Sequence, residues 1–147
     1  MLAAQAVRLE LASALQLADN STTAISWTTQ PVATNSSMHS TTTDLSHVLP
    51  QSTGVFLCHV SLTWNVANST VYQITIEDSS GAVVAYGSWL NGSTTIATGP
   101  TFTASGIKYI DTLAAAPWVR VVVKAVGSTS RLDVTAGRTQ FSVMKLR

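Results

Sequence analysis

The sequence predicts an all-β domain, an antiparallel β-sandwich or jelly roll of about ten short strands. Two runs of alternating residues carry this prediction, because strand side chains point to opposite faces with a period of two. In the run 54–64 (GVFLCHVSLTW), Phe56 and Cys58 fall on one face and Leu57 on the other. The terminal run 139–147 (TQFSVMKLR) alternates in the same way, so we expect the chain to end inside a sheet. Turn signals recur roughly every 8 to 12 residues, and no amphipathic helix is evident.

The N-terminal half contains two further predicted strands and one irregular segment. The first strand covers 7–11, where apolar residues alternate with an arginine and a glutamate. The second covers 23–27 and follows the turn signal Asp19-Asn20. Over 30–51 the alternation gives way to Thr, Ser, Asn and Pro. Long irregular segments in compact domains are commonly functional or packed against a partner.

The C-terminal half is a series of strands with turn residues between them. Asn91-Gly92 is the strongest hairpin signal, because both central residues of a type I′ turn need a positive φ. Gly99-Pro100 interrupts the Thr-rich strand in which it lies. The predicted strands are 71–77, 82–90, 93–103, 107–113, 119–124, 131–134 and 140–146.

The polar surface is built from uncharged residues. Charged residues make up 10% of the 147-residue chain, against a usual share of about 25%, and the net charge is +1. The chain contains 18 Ser and 21 Thr, so hydroxyl groups replace charges. Such a surface gives little electrostatic repulsion between copies. We therefore expect a permanent assembly. The alternative is a monomer with an uncharged polar surface.

The length fits one domain, which we assign to 7–147, preceded by an apolar N-terminal arm at 1–6 that could also form a short helix. Cys58 is the only cysteine and is expected to be buried without a disulfide. Arg8 and Glu10 interrupt any signal-peptide core, and no apolar run is long enough for a membrane span. We expect neither secretion nor membrane insertion.

Three segments resemble, in the same order, a known family. Segment 20–27 (NSTTAISW) leads from a hydroxyl-rich turn into an apolar-aromatic strand, and 50–64 has a proline, a glycine and an aromatic residue before a central alternating strand. Segment 139–146 is a closing Thr-x-Phe-Ser strand. Together they resemble the trimeric jelly roll shared by tumour necrosis factor (TNF) and complement globular heads, which also occurs in bacteriophage fibre and decoration proteins. The resemblance implies a TNF-like fold and a homotrimer.

The sequence differs from the animal members of that family. It has no collagen repeat, stalk, signal peptide or paired cysteines. Ala116-Pro117-Trp118 stands where many members have Gly-Asp, so we expect no cation site there. These differences favour a structural virion protein, made in the host cytoplasm: a phage capsid decoration or head-fibre protein. We expect no long shaft. The expected partners are further copies of the chain and the major capsid protein or another virion protein.

Two other functions remain open. The first is a tail or baseplate module that recognises a host surface glycan. Trp89 and Asn91 are the candidate glycan contacts, because Trp89 closely precedes a predicted hairpin and should be exposed. The second is a secreted TNF-like ligand, which needs a secretion route that the sequence does not show. A glycan array would separate the glycan-binding module from the others.

The sequence predicts no enzyme, cofactor or metal site. It contains no nucleophile elbow and no carboxylate pair suited to glycoside hydrolysis. His39 and His47 lie with Asp44 in the polar segment, fit no ligand spacing and are expected to be solvated. His59 is expected at a surface or subunit interface. The basic residues of the C-terminal third are spread over separate strands, so we expect no nucleic-acid binding.

The scaffold contact is predicted at the N-terminal arm, 1–6, and the loop 30–49, since both are poor in charge and lack strand periodicity. Ordering such segments costs about 1 to 2 kcal/mol per residue, so we expect them to be mobile until the protein is on its particle. The candidate contact residues are Met1, Leu2, Gln5, Pro31 and Val32. The predicted core or subunit-contact residues are Phe56, Val60, Leu62, Tyr72, Ile74, Ile76, Val121, Val123 and Phe141.

Overall fold

The computed structural model describes residues 5–66, 71–90, 101–127, 130–132 and 139–147. Within them, strands are joined by turns and by one 3-10 turn at Ser36–Met38. The strands are β1 (Ala6–Glu10), β2 (Gln16–Leu17), β3 (Thr22–Ala24), β4 (Thr29–Ala33), β5 (His47–Val48), β6 (Gly54–Val66), β7 (Val71–Asp78), β8 (Val83–Leu90), β9 (Thr101–Ile110), β10 (Val119–Val126), β11 (Ser130–Leu132) and β12 (Gln140–Lys145). The predicted all-β jelly-roll sandwich is confirmed.

Two antiparallel sheets pack face to face. The seven-stranded sheet has the order β2-β11-β6-β12-β1-β4, and β9 pairs with the other edge of β6. The five-stranded sheet has the order β3-β10-β7-β8, with β5 also paired to β10. The closing strand β12 lies between β6 and β1, where Phe141 is in register with Val60 and Leu9. The chain therefore ends inside the sheet, as the terminal alternation predicted.

The core lies between the two sheets and is formed by one face of each strand. On β7 and β10 buried side chains strictly alternate with half-buried ones. Burial raises the pKa of the Cys58 thiol to about 12, so this buried cysteine is a small apolar residue without thiolate chemistry. All nine predicted core residues have no exposed surface: Phe56, Val60, Leu62, Tyr72, Ile74, Ile76, Val121, Val123 and Phe141.

The segment predicted to be irregular, 30–51, contains two short strands. β4 pairs with β1, and β5 pairs with β10. β4 gave no alternation signal because it lies at the end of the sheet and nearly all its side chains are exposed. Pro31 is compatible with such an edge position, since a proline offers no N–H to a further strand.

The N-terminal boundary also differs from the prediction. β1 begins at Ala6, and the preceding Gln5 is buried. The carbonyl of Gln5 accepts a hydrogen bond from Lys145 N, and its side-chain Oε1 accepts one from Gln51 N. Gln5 and Ala6 therefore belong to the domain instead of an arm.

The break predicted between strands 93–103 and 107–113 is wrong. β9 runs without interruption through Gly106, which is in register with Cys58 of β6, and residues 91–100 lie outside the described part. A Cβ at Gly106 would collide with the backbone carbonyl of Val84 on β8. The small residue thus allows two strands of different sheets to approach closely. We call this side of the sandwich, where β8 crosses β9, the β8/β9 corner.

Candidate assembly surface

The side of the seven-stranded sheet that faces away from the core is called here the outer face. The strand registers place its side chains in rows. One row consists of Ala6, Met144, Leu57 and Ile107, from β1, β12, β6 and β9 in turn. The next row consists of Arg8, Ser142, His59 and Ser105.

The outer face has an apolar half toward the end of the sheet where Val55 pairs with Tyr109. Ile107 is 63% exposed and Tyr109 is 65% exposed. Neighbouring apolar side chains of this size on one strand form a patch, which is less common on a monomer than single exposed apolar residues. A groove of about 370 Å³ runs between β4 and β6 and is lined by Val32, Leu57 and Met144 among others. Arg8, His59 and Ser142 also line the groove, but most of its exposed surface is apolar, so its burial against another protein surface is favourable.

Charge distinguishes the outer face from the opposite side of the sandwich. Among the described side chains of the outer face, the charged pair is Arg8 and Glu10, whose Nε and Oε1 atoms are 3.4 Å apart. The exposed side of the five-stranded sheet carries the Arg120–Glu77 ion pair and Lys124. The five-stranded side therefore has the character of a solvent-facing surface, and the outer face resembles a protein interface.

His59 lies near the middle of the outer face, at the boundary between its apolar half and a half rich in hydroxyl groups. Its Nδ1 atom is 2.6 Å from Ser105 Oγ. Beyond this row, the outer face continues with Ser61 and Thr103. The structure thus places His59 on a surface that another copy could cover.

The candidate scaffold residues have different surroundings. Gln5 is buried and hydrogen-bonded within the domain, as described above. Pro31 and Val32 are exposed on β4, and Val32 also lines the groove of the outer face. Met1 and Leu2 lie outside the described residues. The structure therefore brings Val32, and not Gln5, to a surface that is open to a partner.

The candidate glycan contact Trp89 is half-buried and packs against the core. Its ring stacks on Phe102 with a centroid distance of 4.7 Å and an interplanar angle of 14°. It also covers Gly87, where a Cβ would collide with the indole. Trp89 is therefore an inward residue at the edge of the core, because it shares the inward face of β8 with Gly87. Asn91 lies outside the described residues.

Exposed aromatic residues occur instead at Tyr86, which is 56% exposed, and at Tyr109. Sequence reasoning missed both, although the alternation along β8 and β9 contains the signal. Tyr86 is on the face of β8 opposite to Trp89, and Tyr109 is on the outer face next to Ile107. Both lie on strands that form the β8/β9 corner.

The prediction that His39 is solvated is wrong. Only 4% of His39 is exposed, with Nδ1 2.9 Å from the carbonyl of His47 and Nε2 3.0 Å from the carbonyl of Trp27. The imidazole joins two stretches of backbone, which explains its burial in a segment of polar sequence. His47 stacks on Trp118 at 4.2 Å, and burial together with the charge of Arg120 lowers the pKa of His47.

Asp78 forms a buried ion pair at the end of β7. It is 3% exposed and accepts hydrogen bonds from Lys108 Nζ and from the backbone N–H groups of Ser80 and Ala82. Burial alone would raise the pKa of Asp78, but these hydrogen bonds outweigh it and hold the pKa well below its usual range. All its partners come from this chain, so the pair is structural.

The described residues contain no group of three His, Cys, Asp or Glu side chains placed to hold a metal ion. They also form no helix that is long and apolar enough to span a bilayer.

The fold and the outer face define an antiparallel jelly roll with one apolar, charge-poor sheet face. The sequence matches no protein-family model and no curated protein. Among solved structures, the chain is similar to murine APRIL at pH 5.0, with 9% identity, a TM-score of 0.68 and coverage of 97% of this chain and 99% of that one. It is also similar to Eiger TNF from S. frugiperda, with 12% identity, a TM-score of 0.67 and coverage of 98% and 93%. These likenesses establish a TNF-like jelly-roll fold.

Proposed function

We propose that this chain is a non-enzymatic structural protein of a virion surface, a phage capsid decoration or head-fibre protein that forms homotrimers. The outer face is the observation that carries the proposal. Among its described side chains it combines exposed Ile107, Tyr109 and Met144 with the Arg8–Glu10 ion pair, on a chain of net charge +1. Contiguous apolar patches of this kind mark protein interfaces.

The apolar surface continues around the β8/β9 corner, and this continuity favours a ring over a face-to-face pair. Ile107 and Tyr109 lie on β9, while exposed Val83 and Tyr86 lie on β8. A face-to-face dimer would cover the outer face and leave the corner in water. A ring in which the corner of each copy docks on the outer face of the next covers both, and closed rings do not grow into fibres. The resemblance described above implies three copies per ring.

The trimer can be tested by light scattering coupled to size-exclusion chromatography. We expect three times the mass of one chain for the wild-type protein at micromolar concentration. Ile107→Asp should give a folded monomer, because this side chain is already exposed in one copy but would place an unpaired charge in the interface. Thr22→Asp, which is exposed on β3 at the end of the five-stranded sheet away from β8, is the matched control and should remain trimeric. A wild-type monomer, or a trimeric Ile107→Asp protein, contradicts the proposed interface.

The virion role requires a contact with a particle, which we place at the N-terminal segment and β4. Replacing 1–4 with Gly-Ser-Gly-Ser should leave the trimer intact and weaken its co-sedimentation with purified particles. Gln5 must be kept, because its hydrogen bonds to Gln51 and Lys145 hold β1 in place. If this variant binds particles as well as the wild-type protein does, the contact lies on the basic C-terminal strands instead. Absence of the chain from purified particles would contradict the virion role itself.

A second candidate, a TNF-like ligand, is favoured by the likeness to Eiger TNF and murine APRIL. Identities of 9% to 12% support the fold and leave the binding partner open. The glycan-binding alternative has weaker support, because Trp89 stacks on Phe102 instead of presenting a free ring face. Gene position separates these functions: a neighbouring capsid gene favours decoration, and neighbouring tail genes favour glycan recognition.

A further inference from the structure

We propose that assembly through the outer face is released by acid, and that His59 is the group whose protonation releases it. The inference rests on the proposed self-assembly, because protonation of an imidazole affects assembly only if assembly removes that imidazole from water. It goes further in naming the condition under which copies separate and the residue responsible.

His59 occupies a position that assembly would bury. It projects from β6, which is paired on both edges, and it lines the apolar groove together with Leu57. Its two lateral neighbours in the row are Ser142 and Ser105. The Ser105 hydroxyl can donate to a neutral Nδ1 or accept from a protonated one, so a single chain tolerates both forms of the ring.

The groups that face His59 supply no negative charge to balance a protonated ring. On β1, Arg8 lies in the same row and has the same sign as an imidazolium, while Glu10 is already paired with Arg8. The other described residues around His59 are uncharged: Val32 on β4, Leu57 and Ser61 on β6, Thr103, Ser105 and Ile107 on β9, and Gln140, Ser142 and Met144 on β12.

The corner of the next copy is mainly apolar, and its exposed side chains include Val83, Tyr86 and Tyr109. Of the charged residues beside it, Glu77 is in register with Val83 and paired with Arg120, and Asp78 is paired with Lys108. Exposed Asp111 follows the end of β9. Covering His59 with this corner therefore places the ring among apolar and hydroxyl groups, where the protonated form is disfavoured by lost hydration.

The size of the effect follows from histidine chemistry. A histidine in water titrates near pH 6.5, so at pH 5.5 about nine in ten such rings carry a proton. If the assembled state excludes the proton, the contribution of each subunit to the association constant falls by about ten-fold between pH 7.5 and pH 5.5. Three subunits lose this factor together, so the trimerisation constant falls by about 1,000-fold, and the protein concentration at which half of the trimer is dissociated rises by about 30-fold.

The experiment is light scattering of wild-type protein, His59→Gln and His47→Gln at pH 7.5 and pH 5.5, with circular dichroism to confirm that each chain stays folded. Over a dilution series, we expect the wild type and His47→Gln to be trimers at pH 7.5 and to dissociate at about 30-fold higher concentration at pH 5.5, and His59→Gln to dissociate at the same concentration at both pH values. His47 is the matched control because it lies on β5 of the opposite sheet. A wild-type trimer that is equally stable at both pH values, or acid dissociation of His59→Gln, overturns the inference and leaves the proposed function standing. A wild-type monomer at pH 7.5 overturns the proposed function instead.

A second measurement decides the case in which His59→Gln fails to assemble. Proton NMR follows the titration of the His59 ring in the wild-type trimer, at a protein concentration high enough for the trimer to persist in acid, and in Tyr86→Asp, a corner variant expected to be monomeric whose new carboxylate lies on the opposite sheet from His59 of the same chain. We expect a midpoint at least one pH unit lower in the trimer, which corresponds to the ten-fold factor per subunit. Equal midpoints in the two proteins overturn the inference.

Discussion

Phe141→Ala is expected to lower the free energy of unfolding by about 3 to 5 kcal/mol. Phe141 is fully buried on the closing strand, and its ring centroid is 6.0 Å from that of Trp27. Truncation leaves a cavity at the centre of the seven-stranded sheet, where paired strands on both sides prevent collapse. Urea denaturation in the monomeric Ile107→Asp background measures the loss without a contribution from assembly.

Met144→Ala on the same strand is the control for this prediction. Met144 faces outward and is 44% exposed, so in a monomer its truncation should change stability by no more than about 0.5 kcal/mol. In the wild-type background the same change should weaken the trimer, because Met144 lines the groove. A loss for Phe141→Ala as small as that for Met144→Ala would mean that the closing strand is not part of the core.

Asp78→Ala is expected to cost about 2 to 3 kcal/mol, since removing one partner of a buried ion pair leaves the other uncompensated. The Lys108 side chain keeps 29% of its surface exposed, which places the loss below the range for fully buried pairs. The change also leaves the backbone N–H groups of Ser80 and Ala82 without their acceptor. Chemical denaturation at pH 7, again in the monomeric background, measures this loss.

The same carboxylate predicts how stability depends on pH. Because folding lowers the pKa of Asp78, its contribution is fully present above the pKa of an unfolded aspartate, near 3.9, and is lost as the pH falls further. We expect the urea midpoint of the wild type to fall below about pH 4 more steeply than that of Asp78→Asn. Parallel pH profiles for the two proteins would contradict the assigned role, and exposed Asp111→Asn should follow the wild type.

The parts of the fold that were predictable are those in which one face of a strand is buried. β6, β7, β10 and β12 show a period-two pattern because their inward side chains must be apolar. β4 was not predicted because an exposed edge strand is held by backbone hydrogen bonds, and these do not require its side chains to alternate between apolar and polar. The predicted break between 103 and 107 was wrong because Gly106 has no side chain to continue the alternation, although it lies within β9 and allows a close approach of two backbones.

The candidate surface was only partly predictable for a related reason. The alternation of β6 separated Leu57 and His59 from the core face, so the residues of the outer face could be grouped from sequence. The sequence alone does not show that these residues form one apolar patch. The strand registers show it, because they place Ile107 and Met144 beside Leu57. Burial of His39 depends on carbonyl groups of distant backbone, and residue type alone gives no sign of these.

The proline of β4 has a consequence for solubility at high local concentration. β4 is the terminal strand of the seven-stranded sheet in the described residues, and such a strand invites another chain to add to it. With a net charge of +1, the protein has little long-range repulsion to prevent this. Pro31 interrupts the row of donors, so a second chain cannot add along β4 without losing a ladder hydrogen bond. Protection against amyloid-like growth therefore depends on one missing hydrogen-bond donor, and many copies can be crowded together without relying on charge to keep their sheets apart.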